Sequence, residues 1–216
     1  MPGPVISMEI HNEDKSFFST SKRQTFLLLC LATFAVLFIK KSLIENETAA
    51  FEFMADQPQG SILYLRSALQ YISIPLIYLW KFTSLGFIIW VGCFLFGYRV
   101  TFSQCWGLVL VAEFVFLVPE LIKIVWFLAI KTDPTYYDIQ AFYPLSLMNL
   151  IDYQELPSRY AYPFKALNLF EPLYWYILAL GIRHFARKGM NPAWFIVLGF
   201  YVPIFLLWLI FYMIVY

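Results

Sequence analysis

The chain has 216 residues, of which 61% are hydrophobic, 21% are aromatic and only 13% are charged. Soluble domains carry about a quarter charged residues, so this composition excludes an ordinary soluble domain. The formal net charge of +1 comes without a basic cluster, which excludes a nucleic-acid partner. Long apolar runs instead predict an all-α integral membrane protein. Its three isolated cysteines indicate core residues, and we expect no cofactor or metal site.

We predict a polar N-terminal tail over residues 1–23 and a membrane domain over residues 24–216. A membrane-spanning helix needs about 20 mainly apolar residues. The first run is closed by Lys40 and Lys41 without a cleavage site, so it is a span and not a signal peptide. The start of the second span stays open between Tyr71 and Phe82. The predicted fold is a bundle of five transmembrane helices, at about residues 24–40, 71–98, 106–129, 169–183 and 194–216.

The third predicted span is unusual because it carries three charges, on Glu113, Glu120 and Lys123, and a proline, Pro119. A charge that faces lipid is costly, so we expect this polar cluster to face other helices. Lys123 follows Glu120 by three residues, within pairing reach on a helix. A structural interhelical pair is the favoured interpretation, and an ion or substrate role is the alternative. The third interpretation is that Glu120 and Lys123 lie at a membrane surface.

The connection over residues 131–169 contains four prolines and many aromatic residues. Leu147, Met148 and Ile151 predict a short amphipathic helix in the membrane interface. The alternative is a loop packed over the end of the bundle. Aromatic side chains with polar tips suit interfaces, so we expect this connection to form a partner surface that includes Tyr143 and Tyr153.

The last two spans follow a helix cap, in which Asn168 accepts from the first turn and Glu171 reaches back. Pro203 is expected to bend the fifth span. Short basic turns, one with Arg99 and one with Arg183, Arg187 and Lys188, favour a cytoplasmic N-terminus. We expect a bacterial inner membrane, with a eukaryotic endomembrane as the alternative.

One set of residues in the second half of the chain has a characteristic order: Gly97, Tyr98, Phe102, Gln104, Val118, Pro119, Asn168, Leu169, Phe170, Trp175, Leu178, Leu180, Gly181 and Ile182. With these residues the chain from about residue 62 onward resembles the Ypt/Rab-interacting (YIP-domain) membrane proteins, in particular their prokaryotic relatives. The resemblance implies a non-enzymatic helical membrane protein with five spans and a cytoplasmic N-terminus. Eukaryotic members of that family act in vesicle trafficking and bind small GTPases.

The sequence contains no catalytic motif, so the leading hypothesis is a non-enzymatic adaptor or subunit of a membrane protein complex, acting in protein transport or trafficking. Its partners would be other integral membrane proteins and the bilayer. The runner-up is a small transporter or channel that uses Glu113, Glu120 and Lys123. A lipid-acting enzyme comes third. Polar residues from several spans that face Glu113 favour transport, whereas a single satisfied pair favours the adaptor.

Overall fold

The computed structural model describes residues 21–45, 60–131 and 134–216, and these residues form helices joined by turns. Within them no β-strand occurs, apart from an isolated bridge between Ser146 and Asn168. The predicted all-α class is therefore confirmed. Residues 1–20 of the predicted tail and most of the acidic first connection lie outside the described residues, whereas Lys22 and Arg23 belong to the first helix.

The helices are numbered in chain order, and three of the passes contain short segments of other helix types. A π-helical turn, Lys41–Glu45, extends the first helix, and a 3₁₀ segment, Glu113–Phe116, separates α3 from α4. A second 3₁₀ segment is Leu147–Leu150, and a second π-helical turn, Val197–Tyr201, separates α8 from α9. The α-helices are α1 (Lys22–Lys40), α2 (Gly60–Leu95), α3 (Phe102–Ala112), α4 (Leu117–Ala129), α5 (Tyr136–Ala141), α6 (Ser158–Ala166), α7 (Phe170–Ala186), α8 (Met190–Ile196) and α9 (Val202–Val215).

Three helices among the described residues are long and apolar enough to cross a membrane: Lys22–Ile44, Ala68–Leu95 and Met190–Val215. They correspond to the first, second and fifth predicted spans. The second span belongs to α2, which is one continuous helix through Tyr71 and Phe82, the two possible start points of that span. The third predicted span is divided into α3 and α4, and the fourth is the 17-residue α7.

The third predicted span changes helix type close to Pro119, which is the third residue of α4. Proline has no N–H for the carbonyl four residues earlier, so it fits most easily in the first turn of a helix. The 3₁₀ segment Glu113–Phe116 lies directly before α4 and joins it to α3. Pro203 likewise lies in the first turn of α9, directly after a π-helical turn, whereas Pro75 lies inside the continuous α2. The helical segment over residues 106–129 is therefore not α-helical throughout.

Contacts between the passes show that neighbours run in alternating directions. Phe26, early in α1, contacts Phe82 of α2, whereas Phe34 further along α1 contacts the earlier Tyr71. Helices α1 and α2 are therefore antiparallel. Helix α3 is antiparallel to α2, since Gly86 of α2 lies against Trp106 and Lys81 pairs with Glu113.

The later passes continue this alternation. Phe116 contacts Tyr174 of α7, while the earlier Leu108 lies against the later Gly181, so α7 is antiparallel to the α3–α4 pass. One end of the bundle, the turn end, therefore holds the start of α1, the 96–101 turn and the 187–189 turn. The opposite end, the connection end, holds the end of α1, residues 130–169 and the end of α9, where Tyr162 stacks on Tyr212.

Glycines allow the passes to approach closely where they cross. A Cβ placed on Gly86 would lie 3.1 Å from the Cα of Trp106, and one on Gly181 would lie 2.0 Å from Cδ1 of Leu108. Small residues serve the same purpose in membrane bundles generally, because backbone approach increases van der Waals contact. Leu108 is itself buried at 1% exposure, so its side chain has no free space into which to move.

Replacing Gly181 with alanine should therefore destabilise the bundle by about 1–3 kcal/mol, as overpacking of a core does. Thermal unfolding in a mild detergent measures the change. Gly199 is the matched control, since a Cβ there meets nothing within 4 Å. We expect Gly199→Ala to be neutral or to stabilise by up to about 1 kcal/mol. Equal unfolding temperatures for the two variants would contradict the packing described for α3 and α7.

Candidate functional site

The interior of the bundle contains an ion pair between Lys81 of α2 and Glu113 of the 3₁₀ segment. Lys81 Nζ lies 2.6 Å from Glu113 Oε1, and the Glu113 side chain is only 5% exposed. The same ammonium lies 5.1 Å from the ring centroid of Phe116. Lys81 precedes the end of α2 by 14 residues, which is about 21 Å at 1.5 Å per residue. The pair therefore lies well inside the bundle.

A second carboxylate, that of Glu171, faces the same interior. Its Oε2 accepts hydrogen bonds from Trp175 Nε1 at 3.2 Å and from the Tyr201 hydroxyl at 3.4 Å. Glu171 is 8% exposed and interacts electrostatically with both Lys81 and Glu113. The sequence predicted that Glu171 reaches back to the start of its helix, and its side chain does not. Asn168 does cap α7 as predicted, accepting from the amides of Phe170 and Glu171 at 2.9 and 3.2 Å.

Two tyrosines connect the carboxylates. The Tyr174 ring lies 5.1 Å from Phe116 and 5.4 Å from Tyr201. Tyr174 is fully buried, and its hydroxyl, like Glu113 Oε2, has no hydrogen-bond partner among the described residues. Buried polar groups are nearly always paired, so these two atoms are exceptions that need an explanation. We call Lys81, Glu113, Glu171, Tyr174 and Tyr201 the central polar cluster.

The three charges predicted to cluster on the third span do not meet. Glu113 pairs with Lys81, whereas Glu120 Oε2 lies 3.1 Å from Nζ of Lys40 at the end of α1. Lys123 donates instead to the backbone carbonyl of Ile139. The expected Glu120–Lys123 pair is thus replaced by separate partners.

The 3₁₀ segment changes the angle between Glu113 and Glu120. A 3₁₀ helix turns through about 120° per residue and an α-helix through about 100°. Residues seven apart on an α-helix differ by about 20° of rotation, and four residues of 3₁₀ helix add about 80° in the opposite sense, so Glu113 and Glu120 differ by about 60°. Glu120 and Lys123 both lie in α4, where the spacing is regular, and each binds a group on another element.

Sequence reasoning missed Lys81, Glu171 and Tyr201 as members of the cluster. Lys81 interrupts the apolar run of α2, and Glu171 was interpreted as a capping residue. A lone charge within an apolar run was the available signal for both. Their meeting depends on the register of α2, α7 and α8–α9 against each other, which no local pattern contains.

The connection that was expected to form a partner surface is packed against the connection end. Met148 is 1% exposed and belongs to the interior, whereas Leu147 and Ile151 are 42% and 38% exposed. The segment Leu147–Leu150 is a single 3₁₀ turn, not the amphipathic helix that was predicted. Its extended flank is held by one hydrogen bond from the Leu147 amide to the Leu167 carbonyl and one from the Leu169 amide to the Leu145 carbonyl. The alternative, a loop over the bundle end, is what the structure contains.

The aromatic members of the expected partner surface are also engaged. Tyr143 is half-buried, and its carbonyl accepts from the side chains of Ser146 and Asn149. The ring of Tyr153 lies under Lys165, with 5.2 Å from Nζ to the ring centroid. Burial lowers the pKa of Lys165, and the nearby charge of Lys40 lowers it further. The connection is therefore an ordered part of the fold.

No family model, no curated protein and no solved structure matches this chain. The resemblance to YIP-domain proteins accordingly stays a prediction. What the protein does must be inferred from the geometry of the central polar cluster and of the connection end.

Replacing Lys81 with methionine should destabilise the protein by about 3 kcal/mol, because the Glu113 carboxylate loses its cation while it stays buried. This is the lower end of the usual range, since the Lys81 side chain is 36% exposed. The double replacement Lys81→Met with Glu113→Gln should recover most of the loss. Thermal unfolding in mild detergent measures both.

Lys131→Met is the matched control for the single replacement. It breaks an exposed pair with Asp138, whose side chains are 45% and 32% exposed, and should cost less than about 1 kcal/mol. An equal loss of stability in Lys81→Met and Lys131→Met, or no recovery of stability in the double variant, would show that Lys81 and Glu113 are not a buried charge pair.

Proposed function

We propose that this protein is a small proton-conducting transport protein of a biological membrane and that the central polar cluster binds the proton. The observation that carries the proposal is a set of charged and hydroxyl groups from several helices around two buried carboxylates, in which Lys81 pairs with Glu113 and Tyr201 donates to Glu171. Lys81 comes from α2, Glu171 and Tyr174 from α7, and Tyr201 from the π-helical turn. Intramembrane ionisable residues of this kind mark ion and substrate pathways.

The charge balance of the cluster favours a proton as its ligand. One ammonium and two carboxylates give a net charge of −1 when all three are ionised. An uncompensated charge in a low-dielectric interior is costly, and a proton on either carboxylate removes it. Glu113 Oε2, which lacks a hydrogen-bond partner among the described residues, is an available position for that proton. Lys81 disfavours a metal cation at the same place by repulsion.

Polar groups continue from this cluster toward the connection end. Tyr78 lies one turn from Lys81 along α2, donates to or accepts from Thr33 at 2.8 Å, and interacts electrostatically with both Glu113 and Glu120. The Lys40–Glu120 pair follows toward the connection end. Toward the turn end the described interior is mainly apolar, with Leu108, Val109 and Ile182 fully buried and Thr25 as a buried polar residue.

Helix interruptions accompany the cluster. Glu113 opens the 3₁₀ segment that precedes Pro119, and Tyr201 closes the π-helical turn that precedes Pro203. Short 3₁₀ and π segments within longer helices often mark functional sites or hinges. This coincidence supports a transport role over a purely structural one.

The proposal includes five passes with the turn end in the cytoplasm. Alternating directions of α1, α2, α3–α4, α7 and α8–α9 support it, although only three of these are full-length spans. Arg99, Arg187 and Lys188 lie in the short turns of the turn end, and acidic residues are absent from the described part of that end. Short basic turns face the cytoplasm by the positive-inside rule. The type of membrane stays a prediction, with a bacterial inner membrane favoured.

A second candidate is the adaptor role that the YIP-domain resemblance implies. The ordered connection exposes apolar side chains at the connection end, with Leu150 at 80% and Leu147 at 42% exposure. An exposed apolar patch on an ordered surface is typical of a protein contact. The polar convergence at Glu113 does not follow from this role, so we rank it second.

Proton movement into proteoliposomes tests the transport proposal. A potassium diffusion potential drives protons, and an entrapped pH-sensitive dye reports them. We expect the wild type to conduct protons, and Glu113→Gln and Glu171→Gln each to lower the rate roughly tenfold or more, as losing a proton-transfer group does. Glu155→Gln is the control, since Glu155 is exposed on the connection. A silent wild type, or equal rates in all variants, would leave the adaptor as the better proposal.

A further inference from the structure

The connection end contains a second feature, an open cavity of about 520 Å³ between α4, α5 and the 147–154 segment. Ligand sites commonly fall between about 300 and 1,000 Å³. Five of the residues around it are aromatic: Trp126, Phe127, Tyr137, Phe142 and Tyr153. This cavity is separate from the central polar cluster and takes no part in the proposed proton movement.

The charges around the cavity favour a cation. The ionisable side chains other than tyrosine that line it are Lys131, Asp138 and Asp152, which gives a net charge of −1. Lys131 Nζ lies 2.7 Å from Asp138 Oδ1, and Asp138 Oδ2 accepts from the amide and the hydroxyl of Thr135. These contacts, with the Lys131 hydrogen bond as the largest cause, lower the pKa of Asp138 to about 2.

Asp138 therefore accepts three hydrogen bonds, from Lys131 and Thr135, and Asp152 is the carboxylate with more acceptor capacity to spare. Its Oδ1 accepts the amide of Gln154 at 3.0 Å, and the residue is exposed at the cavity. The negative charge that Lys131 does not neutralise is thus placed on the 147–154 side of the cavity.

The aromatic wall presents accessible rings. Trp126 stacks on Phe142 at 5.2 Å with 17° between the planes, which orders both rings. Trp126 nevertheless keeps 37% of its surface exposed, and Tyr137 keeps 57%. Tryptophan is the side chain with the strongest cation–π attraction. An aromatic wall opposite a carboxylate is the arrangement that recognises quaternary ammonium groups, which cannot donate hydrogen bonds.

We propose that this cavity binds a trimethylammonium group, as carried by phosphocholine. Trp126 supplies the ring face, Asp152 the counter-charge and Tyr137 the outer wall. Trp126 lies three residues before the end of α4, at the connection end of the bundle. Aromatic residues at such ends lie at headgroup depth in membrane proteins. The group can therefore come from a lipid headgroup or from a free solute, and the same contacts serve both.

Isothermal titration of the full chain in mild detergent tests the proposal with phosphocholine, phosphoethanolamine and inorganic phosphate as probes. We expect saturable binding of phosphocholine and at least tenfold weaker binding of the other two, which lack the trimethylammonium group. Trp126→Leu and Asp152→Asn should each weaken phosphocholine binding about 5- to 30-fold. Tyr137→Leu, at an exposed ring, should weaken it as well, and serves if Trp126→Leu does not fold.

Trp208→Phe is the matched control. Trp208 lies near the connection end, is 52% exposed and donates to the Tyr162 hydroxyl at 3.3 Å, but it does not line the cavity. Phosphocholine binding should be unchanged in this variant. Short-chain phosphatidylcholine below its micelle concentration then separates the sources: much tighter binding than phosphocholine indicates the lipid, and equal binding indicates the solute. Absent phosphocholine binding, equal binding of phosphate, or wild-type binding by both Trp126→Leu and Tyr137→Leu would overturn the proposal.

Discussion

The ion pair between Lys81 and Glu113 is the interaction on which the rest of the interior depends. A carboxylate that is only 5% exposed needs a cation, and the one at 2.6 Å comes from a different helix. The pair therefore sets how α2 and α3 lie against each other. Gly86 permits the close backbone approach that this register requires, with a prospective Cβ 3.1 Å from Trp106. Electrostatics and packing thus specify the same arrangement.

Changes of helix type occur close to the polar cluster, shortly before two prolines. Pro119 lies in the first turn of α4, and the 3₁₀ segment before it changes the angle between Glu113 and Glu120. The π-helical turn before Pro203 contains Tyr201, whose hydroxyl reaches Glu171. These polar groups therefore lie at or near segments that are not α-helical. That association links the cluster to conformational change, since an interrupted helix can alter its geometry more easily than a continuous one.

Much of the architecture could be predicted from the sequence because long apolar runs are a local signal. The runs that contain Leu29, Ile89 and Leu209 were each identified as spans, and the helices there are long enough to cross. The cap at Asn168 was also predicted, since a cap involves neighbours in sequence. The interior position of Glu113 followed from the cost of exposing a charge to lipid.

The partners of these charges could not be predicted in the same way. Glu113 meets Lys81 and Glu120 meets Lys40, at separations of 32 and 80 residues. Such pairings depend on how whole helices are placed. Met148 illustrates the same difficulty at the connection end: its apolar neighbours predicted a shared exposed face, but a tight 3₁₀ turn buries Met148 and leaves Leu150 outside.

The functional account requires that α3–α4 and α7 cross the membrane, since only then does the central polar cluster lie at mid-depth. Side-specific labelling of single cysteines measures this directly, in a variant without Cys30, Cys93 and Cys105. Gln154→Cys and Lys188→Cys place probes at exposed positions of the connection end and the turn end. Five crossings predict that an impermeant maleimide labels position 154 from outside the cell and position 188 only from the cytoplasmic side. Labelling of both positions from the same side would mean that only three helices cross, and it would contradict the account.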